Sequence, residues 1–215
     1  GILPPPIGYL QRLRELCDTH CLLLIFDEVI TAFGRVGANF AADRFGVIPD
    51  IIIAAKGLTN GVIPMGAVLV RDHVYEAFMQ QSDQGIELFH GYTYSGHPVA
   101  AAAGLAALDV YQEEGIVAQA QALESSFEAA LHSLDNHPKV KDVRNIGLMG
   151  AIELIPRDNA PGARGLDAHK ACFWEEDLVI RNGGDTLQFA PFLNARPDDL
   201  EKTVASIKRV LDGLV

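Results

Sequence analysis

Positive charge is in short supply. The chain carries 17 Lys and Arg against 28 Asp and Glu, a formal net charge of −11, and no tract is rich in lysine and arginine. Nucleic acids and anionic membrane surfaces both require a basic footprint, so neither is an expected partner. Long apolar runs are lacking as well. PVAAAAGLAAL, 98–108, is the longest uncharged stretch of this kind, and it falls short of the roughly 20 apolar residues that cross a bilayer. Cysteine is scarce: Cys17, Cys21 and Cys172 form an odd set without repeated spacing. That pattern excludes a disulfide framework and suits a reducing, cytoplasmic compartment. Cys17, His20 and Cys21 could be drawn as metal ligands. No second ligand cluster follows, and buried thiols at a helix end account for them, so no metal is expected. The opening GILPPPIGYL has neither a basic nor an apolar leader, and no targeting segment is read. Its prolines suggest entry into the middle of a domain, with an N-terminal part absent.

What is present is ordinary globular material, 49% hydrophobic and 21% charged over 215 residues, enough for one large domain or two small ones. Apolar residues at 9, 10, 13 and 16 fit an amphipathic helix over 8–19. Leu22 to Phe26 is an apolar run that stops at the adjacent carboxylates Asp27 and Glu28; it reads as a buried strand of a parallel sheet. IIIAAK, 51–56, is a second such strand and ends on a lysine, and AVLVR, 67–71, is a third. DHVYEAFMQ reads as a short helix capped by Asp72. SDQGIELFHGYTYSGHP, 82–98, is a turn-rich loop. Pro98 then opens an alanine-rich helix that stops at Gly115.

A longer helix follows, with Ile116, Ala120, Leu123, Phe127, Ala130 and Leu134 on one stripe. VKDVRNIGLMGAIELI suggests two strands around Gly147, ARGLDAHKACFWEEDL a helix, and LVIRNG and TLQFAP short strands. Asp198, at capping-box spacing from Glu201, opens a last helix through Leu214. The expected fold class is therefore α/β. Residues 1–114 alternate strand and helix as a mostly parallel sheet requires, with the alanine-rich helix as a bridge, and 115–215 form a smaller α+β domain.

The chemistry concentrates at the ends of the first two strands. Ligands of open α/β sheets sit at carboxyl ends of strands, and here those ends carry Asp27 and Lys56. A lysine directly after IIIAA is unusual, because a desolvated ammonium costs several kcal/mol unless it is paired or neutralised. One reading is an Asp27–Lys56 salt bridge. The other makes Lys56 a Schiff-base nucleophile with a lowered amine pKa. Pyridoxal phosphate (PLP) chemistry uses such a pair: the lysine attaches the cofactor, and a carboxylate keeps the pyridine nitrogen protonated so that the ring accepts electrons.

FDEVITAFGRVG, PDIIIAAKGLTNG, PMGAVLV and HGYTYSGHPVA, in this order, resemble the class III, fold-type I aminotransferases. The tail VIRNGGDTLQFAPFLNARPDDLE is similar to their ω-amino acid–pyruvate (β-alanine–pyruvate) branch. The resemblance covers essentially the whole chain, but only about the latter half of a family member. It implies PLP as cofactor, with Lys56 as the Schiff-base lysine and proton carrier and Asp27 at the ring nitrogen. Val29 would pack on one ring face, placed beside Asp27 by strand alternation. It implies that Thr93 binds the cofactor phosphate of a neighbouring subunit, hence a homodimer or homotetramer. It further implies that Arg181 grips a substrate carboxylate bidentately. Arg35 pins its loop and Glu28 accepts hydrogen bonds behind the site. His90 and His97 flank the phosphate loop without a catalytic role, and Tyr92 and Ser95 have no assigned contact. The family's Gly/Ser phosphate turn and its ring-stacking aromatic have no counterpart here. The implied activity is transamination from an ω-amino acid or amine, such as β-alanine, to a keto acid such as pyruvate. The alternatives are another class III chemistry, an aminomutase or a decarboxylating transaminase, and a truncated, non-catalytic fragment.

Overall fold

The computed structural model describes residues 1–80, 88 and 90–214. Residues 82–87 and 89 of the turn-rich loop lie outside that set. The chain divides into two compact units. The first comprises Pro6–Gly34 and Ala38–Ile116; the second comprises Gly1–Pro5, Arg35–Gly37 and Val117–Val215.

In the first unit α1 (Tyr9–Thr19) leads through a reversal at Cys21, whose φ is 53°, into β1 (Ile25–Asp27). Then come α2 (Ala41–Phe45), β2 (Ile51–Ala54), β3 (Ala67–Val70), α3 (Asp72–Met79) and α4 (Pro98–Glu113). β1 and β2 are parallel, with Ile25, Phe26 and Asp27 opposite Ile51, Ile52 and Ile53. β3 lies on the other side of β2 and runs antiparallel to it. Residues 55–66 join β2 to β3 with a single 3-10 turn, Lys56–Leu58. A parallel return usually runs through a crossover helix, which this link lacks, and the third strand departs from the parallel order that the alternation suggests.

The apolar run before Asp27 also differs from expectation. Only Leu24 is buried, Leu22, Leu23 and Ile25 are exposed, and the ladder begins at Ile25. What fixes this edge is polar. Asp50 is buried and accepts the Leu24 amide at 2.8 Å and the Arg14 guanidinium at 2.7 Å, tying α1 to the sheet. Burial pushes the Asp50 carboxyl upward, but the Leu24 amide and Arg14 outweigh it and hold it below its ordinary value.

The cap of α3 lies one residue ahead of the expected one. Arg71 occupies the cap of α3 and Asp72 its first turn, where a negative charge meets the positive end of the helix. α4 begins at Pro98 with His97 before it. At Gly104 it meets the Met65 side chain, whose Cε would lie 2.8 Å from a Cβ there, with Leu58 O at 3.6 Å.

The second unit has α5 (Ile116–His132), β4 (Val140–Ile146), β5 (Met149–Leu154), α6 (Ala163–Glu175), β6 (Arg181–Gly183), β7 (Thr186–Phe189) and α7 (Pro197–Gly213). Its strands form one antiparallel sheet in the order β4-β5-β7-β6. Gly147, with φ 51°, makes the tight β4–β5 turn that an L side chain would disfavour. Phe127, Leu131, Leu134, Leu148, Ile152, Leu187, Ile207 and Leu211 fill the core. Leu131 replaces the predicted Ala130 as the deeper member of the α5 stripe; Ala130 only packs against the cluster. Pro197 opens α7 one residue ahead of Asp198, so no side-chain cap forms there and Asp199 pairs with Arg196 instead.

Cys21 is exposed and Cys17 half-buried, against the expectation of buried thiols; Cys172 is buried, which with Glu176 pushes its thiol up to about 11. Among the described residues no group of His, Cys, Asp and Glu could hold a metal ion. Among them, too, no helix is long and apolar enough to cross a membrane.

Candidate active site

β1 ends at Asp27 because the chain turns there. The Glu28 amide still donates to Ile53 O at 2.8 Å, and Ala32 N then donates back to Glu28 O at 3.1 Å. Asp27 is exposed, and its Oδ1 accepts the Val29 amide at 3.1 Å. Val29 is half-buried within this turn. The strand alternation expected to set Val29 beside Asp27 is therefore absent, and the Asp27 carboxylate makes the link itself.

The neighbouring carboxylate has a different fate. Glu28 is 1% exposed. It accepts from Thr31 Oγ1 at 2.9 Å, Ala41 N at 2.6 Å and Ala42 N at 2.8 Å, and so satisfies the first amides of α2. A carboxylate at that position is favoured by both the orphan donors and the helix dipole.

Lys56 lies just beyond β2 and begins the 3-10 turn with φ 47°. The left-handed region costs a side chain with a Cβ roughly 1–2 kcal/mol, so neighbouring contacts must hold it. Gly57 supplies them. A Cβ there would lie 2.8 Å from Phe33 Cβ and Cδ2. Tyr111 Oη donates to Gly57 O at 2.8 Å, and the Phe33 and Tyr111 rings stack at 5.9 Å. Thr59, also buried, donates to Ile63 O at 2.6 Å and closes the loop beyond. Phe33, Thr59 and Tyr111 escape sequence reasoning. The one sequence signal for the first and last is the glycine that follows Lys56. Lys56 itself is exposed and forms no ion pair among the described residues, with Asp27 or any other carboxylate.

Thr93 is exposed in the turn closed by Ser95 N to Tyr92 O at 2.9 Å. Tyr92 has φ 46°, and its amide meets His90 Nδ1 at 3.2 Å. Arg181 belongs to the second unit. It is exposed, is the first residue of β6, and stands opposite Gln188. Asp185 secures that hairpin by accepting from Gly162 N at 2.5 Å and Gly165 N at 3.0 Å, at the start of α6. Arg35 donates to Leu148 O at 3.1 Å and Pro191 O at 2.5 Å, within the second unit, as a residue that pins its loop should. The fold thus gathers Asp27, Val29 and Lys56 at the carboxyl end of the parallel β1–β2 pair and leaves Thr93 on the loop before α4. A separate groove of about 500 Å³, lined by Phe40, Val47, Ile48, Asp50 and Leu69 among others, includes none of these residues.

Residues 1–211 match the family described as aminotransferase class-III. The chain is 54% identical over 211 residues to an omega-aminotransferase of Caulobacter vibrioides, covering 98% of this chain and 48% of that protein. It is 50% identical over 216 residues to the beta-alanine–pyruvate aminotransferase of Pseudomonas aeruginosa, covering 100% and 48%. Among solved structures, the omega transaminase from Pseudomonas jessenii in complex with PMP superposes with a TM-score of 0.93 at 32% identity, over 99% of this chain and 48% of that one. The chain spans about half the length of the curated relatives it matches.

Proposed function

The chain belongs to the class III aminotransferase family, with the fold of the fold-type I transaminases, and from that premise we propose that it carries the lysine of a PLP-dependent ω-amino acid–pyruvate aminotransferase. The reaction moves an amino group from an ω-amino acid or amine, such as β-alanine, to a keto acid such as pyruvate. Residues 1–114 are its part of the cofactor-binding domain and 115–215 its small domain. The enzyme acts in the cytoplasm as a homodimer or homotetramer, with Thr93 turned to the cofactor phosphate of a neighbouring subunit.

One observation carries the reading: Asp27 and Lys56 share the carboxyl end of the β1–β2 pair without an ion pair between them among the described residues. The donor set fits the cofactor, since an amine meets an aldehyde and a carboxylate meets a ring nitrogen. When bound, PLP supplies an electron sink for the carbon that loses its proton. The Lys56 amine would hold the cofactor through its aldehyde and would serve as the base that moves a proton at the substrate carbon. Asp27 keeps a proton on the ring nitrogen, and Val29 packs on one ring face. Arg181 takes a substrate carboxylate through its fork of N–H groups.

Borohydride reduction of the full-length protein followed by peptide mapping tests this. A pyridoxyl group on Lys56 is the expected result. Label on a different lysine, or none, overturns the assignment.

A further inference from the structure

We propose that Phe33 and Tyr111 are positioning residues for Lys56: together they clamp Gly57 and hold the backbone beneath the lysine amine in place. The inference rests on the reading of Lys56 as the residue that attaches the cofactor.

Gly57 has no positive φ, so its backbone does not call for glycine. Space does. A Cβ on Gly57 would lie 2.8 Å from both Cβ and Cδ2 of Phe33, far inside normal contact. Phe33 cannot readily give way, because its own φ is 59° and its amide donates to Asn39 O at 2.6 Å, with Gly34 N on Ala38 O at 3.0 Å alongside. Its ring also meets Phe40 at 5.8 Å.

α4 presents Tyr111, whose ring stacks on Phe33 and whose hydroxyl donates to Gly57 O at 2.8 Å. Gly104 lies two turns earlier on the same face of α4. A Cβ there would lie 3.6 Å from Leu58 O, which shows how near the helix comes to the 3-10 turn. The peptide after Lys56 is therefore held by a ring, a hydrogen bond and a helix face. The Lys56 side chain, by contrast, is exposed and makes no ion pair among the described residues. A fixed backbone under a free amine is the arrangement that favours bond formation with a bound aldehyde, because orientation is settled before the reaction. In that reaction the Nζ–C bond forms and the aldehyde oxygen leaves as water.

The test compares two cofactors on the full-length protein. Pyridoxal 5′-phosphate has the aldehyde; pyridoxine 5′-phosphate has an alcohol there and cannot bond to the amine. The readouts are the affinity for each, and absorbance for covalent capture. Gly57→Ala, which drives a methyl into Phe33, is expected to weaken capture of the aldehyde by about tenfold to a hundredfold while leaving the affinity for the alcohol within about twofold. Tyr111→Phe keeps the stacked ring and removes only the hydrogen bond, so it is the milder variant, with an expected loss of about threefold to tenfold in capture alone. Equal losses for both cofactors, or no loss for either, overturn the positioning role. Lys56→Ala separates this from the parent reading: capture that survives in Lys56→Ala overturns the attachment itself, whereas capture lost in Lys56→Ala but intact in Gly57→Ala and Tyr111→Phe overturns the clamp only.

Discussion

In the second unit Phe127, Leu131, Ile152 and Ile207 are fully enclosed, whereas α1 and α3 of the first unit bury no residue at all. α4 buries only Ala100 and Gly104. Leu69 and Val70 on β3 stay largely exposed. The second unit rests on apolar burial, worth about 1.5–3 kcal/mol for each large side chain taken out of water. The first unit is tied together mainly by directed polar contacts: Asp50 to Arg14 and Leu24, Glu28 to α2, Tyr111 to Gly57. The residues proposed for cofactor chemistry lie in the polar-tied unit, and the proposed carboxylate anchor, Arg181, lies in the apolar one. Sensitivity to substitution should therefore follow different rules in the two.

The largest contrast is between two truncations. Phe127→Ala is expected to cost about 3–5 kcal/mol of stability through a cavity in a closed core. Leu69→Ala, at a side chain 45% exposed, should stay within about 0.5 kcal/mol. Denaturant titration of both variants checks this, and comparable losses would erase the distinction between the units.

Next comes the polar anchor. Asp50→Asn leaves the half-buried Arg14 without its buried carboxylate partner and should cost about 3 kcal/mol. The pH dependence has a definite sign. Burial raises the Asp50 carboxyl, the Leu24 amide and Arg14 lower it by more, and the folded value lies below the ordinary one. Its stabilisation is thus complete above the ordinary carboxylate range and disappears as pH falls through the lowered value. Acid titration of stability should show that loss in the parent chain and a smaller one in Asp50→Asn. Identical acid profiles would assign the edge's stability elsewhere.

The smallest effect concerns function alone. On the proposed role of Arg181, Arg181→Ala would remove a charge-assisted pair worth about 1.5–3 kcal/mol, so pyruvate should bind about ten- to a hundredfold more weakly, while a short aldehyde acceptor is spared and the melting temperature stays put. Apparent affinities for the two acceptors in the full-length protein decide it; equal losses would make Arg181 a residue of the fold.

Asp27 and Lys56 could be placed at strand ends from sequence because apolar runs that stop on a charge are unusual, and the surrounding motifs named the family. The direction of β3 could not be read, because AVLV shows the same pattern in either orientation. Asp72 and Asp198 signalled helix starts, but a carboxylate serves the cap and the first turn almost equally well, and Arg71 and Arg196 hold the caps instead. Strand alternation does not carry past Asp27 to Val29, since nothing in DEVI announces that the Asp27 side chain closes a turn. Phe33, Gly57 and Tyr111 are far apart in the chain and meet only in the fold. A glycine after a lysine is compatible with many causes, and only the position of the Phe33 ring singles out the lack of space.

Glu28 also bears on Asp27. The two carboxylates are neighbours in sequence, identical in charge, and differ by one methylene. Glu28 has both oxygens occupied by α2 and Thr31, whereas Asp27 keeps most of its acceptor capacity toward solvent. A single anion, not a pair, is therefore offered to whatever docks at the end of β1. Exchanging the two letters would leave mass, composition and net charge untouched. It would still withdraw a carboxylate from the start of α2, because the shorter side chain stops about 1.5 Å short, and it would carry the longer one further out from the end of β1. Order within a dipeptide is here a structural specification that no bulk property of the chain records.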